Sequence, residues 1–439
     1  MSGELVSIGS PIILGMVSTT IMNLVDIAMV GRLGAAAIAA VGLGGILFYT
    51  LASFFNAMTV GVQVLTARRF GEDRLRETGL ILQNALVIAL LSGSVVTLVS
   101  IGFGPGLFPY LNGDPQVVRL GQGYLWYRFM GILFFTVNMA FHGFLNGVAQ
   151  TRVHLRVTVL SNVLNVLLNY LLIFGKFGLP EMGVEGAGLA STISLLFSLL
   201  LYSRVIAGVR FGEYIPLVQV ANLRWDLIRQ LIRISLPVGV QEFLVHLGFS
   251  IFVVIIGILG TVELAASEIV FNILSFSFMP GYGLGMAAGT MVGKYLGSGQ
   301  PSLATKSGWL SLRLATIFMG GVGLIFLVMP EPILRVFTTD PAVVREGVIA
   351  LRMLGGIQFI DSWGLSISGA LRGAGDTTYV SVVEICINLF CFLPATYLMA
   401  ILWEWGLLGA WMAFGLYVFL FAAFMVNRFH GGRWKTIEV

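Results

Sequence analysis

The sequence predicts an all-α polytopic membrane protein with twelve transmembrane helices in two six-helix, pseudo-symmetric bundles around a central cavity. Its composition, its recurring apolar runs and an internal duplication carry this prediction. Of the 439 residues, 57% are hydrophobic and only 10% are charged, and the mean hydropathy is +0.93. Because a soluble globular protein carries roughly 25% charged residues, a water-soluble fold is excluded. The net charge of +4 lies in the loops, where it indicates membrane topology and not nucleic-acid binding.

Apolar runs recur along the whole chain, and each is long enough to cross about 30 Å of hydrocarbon as a helix. The predicted spans are 8–30, 43–67, 78–102, 122–145, 156–175, 184–206, 231–257, 264–293, 308–329, 347–370, 378–401 and 406–427. The longest polar interruption, 204–233, falls in the middle of the chain. We therefore predict an amino-terminal lobe at 1–205 and a carboxy-terminal lobe at 230–439, joined by a cytoplasmic linker at 206–229.

The two halves are copies of each other. At a constant offset of 226 residues, "DPQVVRLG" (114–121) matches "DPAVVREG" (340–347). Near the end the offset drops to 223, where "EMGVEGA" (181–187) pairs with "EWGLLGA" (404–410). Because each copy contains an even number of spans, both halves enter the membrane in the same direction. They are therefore predicted to be parallel repeats, related by an axis along the membrane normal.

The distribution of basic residues predicts the orientation in the membrane. With the amino terminus inside, most of the 25 Lys and Arg residues fall on the cytoplasmic side, as the positive-inside rule requires. We therefore expect a multi-pass protein of the cytoplasmic (inner) membrane with both termini in the cytoplasm. Its expected partners are membrane lipids and small molecules, without nucleic acid, and a monomer is expected.

Motifs for enzymatic chemistry are weak. "GTMVGKY" (289–295) lacks the Gly-x4-Gly-Lys-Ser/Thr spacing of an ATP-binding P-loop, so transport by this chain would need an ion gradient or a partner. "GAGD" (373–376) resembles the motif of intramembrane aspartyl proteases, but it opens a cytoplasmic loop, where helix-end structure is the better interpretation. His142 and His246 fall within helices without metal-ligand spacing, which favours hydrogen-bonded packing. No cofactor and no enzymatic activity are expected.

Most of the 21 acidic residues fall in loops or at helix ends, and the exceptions inside predicted spans are Asp26, Glu242, Asp361 and Glu384. A charge at mid-bilayer costs at least about 2.5–3.5 kcal/mol, so the default interpretation is a group that lines an internal cavity or an ion path. The alternative is an acid near a helix end that pairs with a loop cation. That alternative stays open, most of all for Glu242 and Glu384.

The duplication separates these acids from the residues that maintain the fold. The Gly, Pro and Asp-Pro positions recur in both copies, whereas the acids occur in one copy only. Three of the counterparts are apolar: Asp26 maps to Phe252, Asp361 to Phe135 and Glu242 to Met16. We therefore expect the acids to be specialised, with different tasks for the two lobes.

The fifth span carries three amides, Asn162, Asn165 and Asn169, at spacings of three and four, which place them on one helical face. In lipid these amides need partners. They either hold helices together or line the same cavity as Asp26. Amide and carboxylate oxygens also suit a hard cation such as Na⁺, so Asp26, Asn165 and Asn169 form a candidate Na⁺ site. Thr192 in the sixth span joins this set of candidate binding residues.

Four stretches together resemble the multidrug and toxic compound extrusion (MATE) transporters, of the bacterial or archaeal NorM/DinF-like type. These stretches are "NLVDIAMVGRLG", "NVLLNYLLIFGKFGLPEMGVEGAGLAST", "NILSFSFMPGYGLGMAAGTMVGKYLGSG" and "GALRGAGDT", and the resemblance covers essentially the whole chain. It implies a secondary antiporter that exports amphipathic, often cationic compounds in exchange for H⁺ or Na⁺ by alternating access.

The same resemblance implies roles for individual residues. Asp26 matches the helix-1 acid associated with cation coupling, and Asn165 and Asn169 match the polar residues that accompany it. Some members have Asp at the position of Asn169, so this chain has one charge fewer for holding Na⁺. Asp361 matches the helix-10 acid of NorM-type members, whereas Glu242 lies about one turn before the usual helix-7 position. The chain combines features of both branches.

Two other functions compete with drug export. A flippase or exporter of a lipid-linked or metabolite substrate shares this general architecture, but such proteins usually have extra helices or a cationic cavity. Here the charges away from the ends of the predicted spans are mainly acidic. An embedded enzyme is a more distant alternative, which an unchanged substrate on the far side of the membrane would exclude.

Overall fold

The computed structural model describes residues 1–208 and 222–438. Within these ranges the chain is helical and contains no β-strand, so the predicted all-α fold is confirmed. Most of the predicted linker, residues 209–221, lies outside the described residues, as does Val439.

The long helices, numbered α1 to α13 in chain order, are Ser2–Gly31, Ala35–Gly71, Leu75–Phe103, Pro115–Met130, Ile132–Gly147, Thr151–Ile173, Gly183–Ile206, Trp225–Leu259, Thr261–Gly297, Pro301–Val328, Pro341–Gly373, Thr377–Leu402 and Gly406–His430. Among the described residues, ten helices are long and apolar enough to cross a membrane, and the bent pair α4–α5 counts as an eleventh. The predicted span 347–370 lies in α11, which has 33 residues. Each of the twelve predicted spans therefore falls on a helix or on the bent pair.

The described chain forms two compact units. The first, here called the Asp26 unit, is Leu14–Ser235, and the second, the Asp361 unit, combines Met1–Ile13 with Leu236–Val439. The first turns of α1, predicted in the amino-terminal lobe, therefore belong to the Asp361 unit. The first turns of α8, predicted partly in the carboxy-terminal lobe, belong to the Asp26 unit.

Packing within each unit explains this assignment of the first turns. In the Asp361 unit, Lys294 Nζ donates to Glu4 Oε1 at 2.8 Å and Tyr295 Oη donates to Glu4 Oε2 at 2.9 Å, which fastens the start of α1 to the end of α9. In the Asp26 unit, Gly61 of α2 leaves room for the side chain of Ser235 of α8.

Local hydrogen bonds show why the duplicated motifs recur. Asp114 accepts a hydrogen bond from the Gln116 N–H at 2.8 Å, and Asp340 accepts one from the Ala342 N–H at 2.8 Å. Each aspartate therefore caps a helix whose first residue is proline, which has no N–H to satisfy. The Asp-Pro pair thus begins α4 in one copy and α11 in the other.

The duplicated span is bent in one copy and continuous in the other. The axes of α4 and α5 differ by 43° at Gly131, whereas α11 runs unbroken from Pro341 to Gly373. Gly131 maps to Ile357 at the same offset. A Cβ atom at Gly131 would lie 2.9 Å from Thr192 Oγ1, so close packing against α7 requires glycine at the bend.

Candidate functional site

Asp26 lies in α1, where two amides of α6 meet its carboxylate within the Asp26 unit. Asn169 Nδ2 donates to Asp26 Oδ1 at 2.5 Å. Asn165 and Asn169 are only 1% and 0% exposed, while Asp26 itself is half-buried. A half-buried carboxylate inside an apolar helix bundle is thus held by neutral donors from a single neighbouring helix.

The Asn165 amide has two orientations that suit this site. With its nitrogen toward the carboxylate, it donates to Asp26 Oδ1 at 3.1 Å and its oxygen accepts from the Ser191 N–H at 3.3 Å. In the opposite orientation its oxygen accepts from Asn169 Nδ2 at 3.0 Å. Asn169 Oδ1 has no hydrogen-bond partner among the described residues. The site therefore combines a carboxylate, which can take up a proton, with amide oxygens. Together these are the oxygen ligands that a hard cation prefers.

The third amide of α6 also faces α1. Asn162 Nδ2 donates to Ser18 Oγ at 2.9 Å, about two turns before Asp26 along α1. The three asparagines singled out in the sequence thus all lie on the side of α6 that packs against α1. Asn162 joins two helices by hydrogen bonding and does not contact Asp26 in this arrangement.

Arg128 is a member of this site that the sequence analysis did not single out. It lies in α4 close enough to Asp26 for an electrostatic interaction, and its guanidinium carbon is 4.0 Å from the centre of the Phe48 ring. Its Nε has no hydrogen-bond partner in the described part of the chain. The signal was available, because Arg128 is a cation inside a predicted span and maps to the buried Leu354 in the other copy.

Thr192 of α7 packs against the bend between α4 and α5. Its hydroxyl donates to the Tyr127 carbonyl oxygen at 2.7 Å. The break in the helix leaves that carbonyl to be satisfied by a side chain. Thr192 therefore stabilises the bend beside Arg128, and none of its described contacts is with Asp26.

Three further acids gather in the Asp361 unit. Glu384 of α12 approaches Arg372 at 3.5 Å and accepts a hydrogen bond from Tyr417 Oη at 3.3 Å. Asp361 and Glu242 lie near enough to interact electrostatically with Glu384 and Tyr417. For Glu384, the alternative of an ion pair with a cation at a helix end is therefore realised, while the cluster as a whole has more acids than cations.

The repeat counterpart of Asp26 lies in an apolar environment. Phe252 of α8 is 0% exposed, and its ring centre is 4.9 Å from that of Phe392 in α12. Since α12 is the counterpart of α6, a contact between carboxylate and amide in one copy is replaced by a contact between two aromatic rings in the other.

Asp376, the acid of the protease-like motif, serves the fold. Arg428 Nε donates to Asp376 Oδ2 at 2.7 Å, which ties the start of α12 to the end of α13. This contact agrees with the helix-end interpretation of the motif.

Comparison with known proteins agrees with this architecture. The MatE family model matches residues 11–171 and 237–398, two segments that begin 226 residues apart. A protein named probable multidrug resistance protein NorM from Thermotoga maritima is 28% identical, over 99% of this chain and 94% of its own length. Multidrug resistance protein PmpM of Pseudomonas aeruginosa is 27% identical, over 90% of this chain and 83% of its own.

A solved structure shares the fold. It is described as the outward-facing conformation of a multidrug resistance MATE family transporter, and it superposes with a TM-score of 0.89 at 19% identity, covering 98% of this chain and 96% of that one. The family model, which covers well over half of the residues, and the shared twelve-helix architecture lead to one conclusion. The chain belongs to the MatE family of membrane transporters.

Proposed function

We propose that this protein is a secondary antiporter of the cytoplasmic membrane that exports amphipathic or cationic compounds in exchange for H⁺ or Na⁺. It works by alternating access, with both termini in the cytoplasm. The names of its relatives, which describe multidrug resistance proteins, support the substrate class.

The observation that carries the proposal is the Asp26 carboxylate and its amide donors. A carboxylate in an apolar helix is costly, yet its partners Asn165 and Asn169 are neutral and hold it without neutralising it. Arg128 acts on it only at a distance. Asp26 therefore has no ion-pair partner among the described residues, so a proton, a Na⁺ ion or a cationic substrate can neutralise its carboxylate.

Antiport follows if these ligands exclude each other at Asp26. An ionised Asp26 attracts an organic cation strongly because little water competes with it. Uptake of H⁺, or of Na⁺ ligated by Asp26, Asn165 and Asn169, removes that attraction and releases the substrate. The ion drives transport only because it binds the two conformations with different affinity.

The remaining candidate residues have supporting roles in this proposal. Asn162 and Thr192 fix the positions of α6 and of the α4–α5 bend. Asp361 and Glu242, with Glu384, supply a second group of negative charges in the Asp361 unit. We propose that this group attracts cationic substrate or a second coupling ion.

Ion-driven flux in proteoliposomes tests the proposal. Purified protein is reconstituted, and transport of ethidium, an amphipathic cation, is followed under an imposed pH gradient and, separately, under an imposed Na⁺ gradient. We expect ethidium to move against its gradient with at least one ion and to stop when an ionophore collapses that gradient. Ethidium flux that is absent under both gradients, or that persists after their collapse, would contradict antiport.

A further inference from the structure

Two histidines and a tyrosine meet within the Asp26 unit, where α5 ends and α6 begins. The ring centres of His142 in α5 and His154 in α6 are 4.0 Å apart. The hydroxyl oxygen of Tyr202 in α7 is 2.9 Å from His154 Nδ1, and its ring centre is 5.4 Å from that of His142. Three helices thus bring one titratable ring each to a single cluster, which the antiport proposal does not use.

The two histidines are partly exposed and have no neighbouring negative charge. His142 and His154 are half-buried, whereas Arg152 and Arg156 on the same helix as His154 are exposed. Within the described residues no carboxylate forms an ion pair with either histidine. Two imidazoles this close hold one proton far more readily than two, because a second positive charge is repelled.

A polar face of α6 connects this cluster to Asp26. Between His154 and Asn169, every turn of α6 carries a polar side chain on the face toward α1 and α7: Thr158, Ser161, Asn162 and Asn165. Tyr202 is hydrogen-bonded to Thr158 at one end, and Asn169 donates to Asp26 at the other. At 1.5 Å per residue the path is about 22 Å long.

Unsatisfied polar atoms lie along this face. Ser161 Oγ has no hydrogen-bond partner among the described residues although the residue is only 7% exposed, and Asn169 Oδ1 is in the same situation. Leaving a buried hydroxyl unpaired costs about 1–3 kcal/mol, so packing alone does not explain a serine there. Neighbouring polar positions lie about 5–6 Å apart, a gap that one water molecule can bridge.

Nε2, the ring nitrogen of His154 that does not contact Tyr202, is available as a proton acceptor. When Nδ1–H donates to the Tyr202 oxygen, Nε2 keeps its lone pair. That nitrogen faces Gly15 of α1, where a Cβ atom would lie 3.8 Å away. A residue without a side chain therefore stands next to the accepting atom, on the same face of α1 as Ser18 and Asp26.

We infer that the His142–His154–Tyr202 cluster is a proton-exchange site that loads and unloads Asp26 along the polar face of α6. The inference rests on the proposed antiport and specifies H⁺ as the coupling ion. In the unloading direction, the O–H bond of the Asp26 carboxyl breaks as a bridging water accepts its proton, and further waters held by the Asn165 and Asn162 amides pass one proton on to Ser161. The hydroxyls of Ser161 and Thr158 each accept one proton and release their own. His154 Nε2 then accepts the proton, and the resulting imidazolium releases it to water at the exposed side of the cluster.

The His154→Asn variant tests the relay, because its amide can replace Nδ1 toward Tyr202 but offers no basic nitrogen at Nε2. We expect ethidium transport driven by a pH gradient to slow by about a hundredfold, the low end of the effect of a positioned acid–base group. Ethidium affinity at equilibrium, and its dependence on pH, should stay as in the wild type, because Asp26 is intact. His430→Asn, an exposed histidine at the end of α13, is the matched control and should transport normally.

Ser161→Ala separates a relay from a merely structural role. Because the hydroxyl has no partner, its removal should leave the thermal stability unchanged or raise it, yet a relay through it predicts slower proton-driven transport and a larger solvent isotope effect in D2O. Unchanged rates in both variants, or a loss of ethidium affinity that parallels the loss of rate, would overturn the inference. Wild-type transport driven by Na⁺ alone would also overturn it and leave antiport intact, whereas absence of wild-type transport under either gradient contradicts the antiport itself.

Discussion

At the same point of the repeat, one unit carries a carboxylate and the other an aromatic ring. Asp26 is held by Asn169 at 2.5 Å, whereas Phe252 packs against Phe392 with ring centres 4.9 Å apart. The helices around both positions begin at matching residues, such as Pro115 and Pro341. The duplication therefore preserved the scaffold while the chemistry at this position diverged.

This difference shows what Asp26 and Phe252 each contribute to the fold and to ligand binding. A carboxylate replaced by a buried ring in a copy that keeps its helices is not required for the fold. Conversely, the aromatic pair stabilises its unit and offers no charge to a ligand. The Asp361 unit places its acids elsewhere, around Tyr417, so the two units carry charge at positions that the duplication does not relate.

The largest expected effect on transport comes from removing the charge of Asp26. Asp26→Asn should abolish ion-driven ethidium transport, because the amide neither takes up a proton nor attracts a cation. Its oxygen still accepts the hydrogen bond from Asn169, so folding and membrane insertion should be unchanged. Transport assays in proteoliposomes, with size-exclusion profiles to verify folding, measure both.

The exposed Asp73→Asn variant is the matched control for this loss of charge. Asp73 has a positive φ of 58°, a conformation that Asn also tolerates. It should transport like the wild type. Normal transport by Asp26→Asn, or an equal loss in both variants, would remove the contrast between the two copies.

Replacing Phe252, the counterpart of Asp26 in the other unit, is expected to affect stability and not transport coupling. Phe252→Ala should lower the free energy of unfolding by about 3–5 kcal/mol, as expected for the loss of a buried ring, because Phe252 also contacts Phe271 and Trp411. The ion selectivity of the remaining folded protein should not change. Thermal melting in detergent measures the first effect, and flux under separate H⁺ and Na⁺ gradients measures the second; a switch of coupling ion would show that this copy takes part in ion binding.

A smaller difference is expected where the duplicated glycines pack. A Cβ atom at Gly373 would lie 2.1 Å from the Gly289 carbonyl oxygen, whereas one at Gly147 would meet the Thr66 side chain at 2.6 Å. The added Cβ atom at Gly373 would also lie 2.3 Å from the Gly289 Cα atom, so the two backbones would have to move further apart there than at Gly147. Gly373→Ala should therefore destabilise by about 1–3 kcal/mol and by more than Gly147→Ala, as compared by thermal melting; the reverse order would mean that the two units do not differ in how closely these helices pack.

The smallest effect should be equal in the two units. Asp114→Ala and Asp340→Ala each remove a cap with the same 2.8 Å hydrogen bond, so each should destabilise by about 1 kcal/mol. Replacing each aspartate by Ser, which also caps, should restore most of the loss. Clearly unequal losses in chemical or thermal unfolding would show that the loops of the two copies have diverged as well.

The helices and the duplication could be predicted from the sequence, because the helices appear as long apolar runs and the duplication as matching residues at a constant offset. Twelve apolar runs gave the spans, and the offset of 226 anticipated that Asp114 and Asp340 begin matching helices. The bend at Gly131 could not be predicted, because one glycine among 55 carries no signal of its own. It depends on contact with Thr192 in a distant helix.

The candidate site was predicted in part. Asp26, Asn165 and Asn169 were identified from charge and helical spacing, and they meet in the structure. Arg128 was missed because no arginine or lysine inside the spans was considered as a site residue. The division of the chain at Ile13 and Ser235 could not be predicted, because it depends on contacts such as that of Glu4 with Lys294, which are far apart in sequence.

The most direct test of the central claim, that substrate and coupling ion exclude each other at Asp26, is ethidium binding to the purified protein at equilibrium. For the wild type, we predict that the Kd rises as the pH is lowered or, for Na⁺ coupling, as Na⁺ is added, because either ion neutralises the carboxylate. For Asp26→Asn, the Kd should be weaker and independent of both. A variant that keeps the wild-type competition between ethidium and the ion would contradict the account.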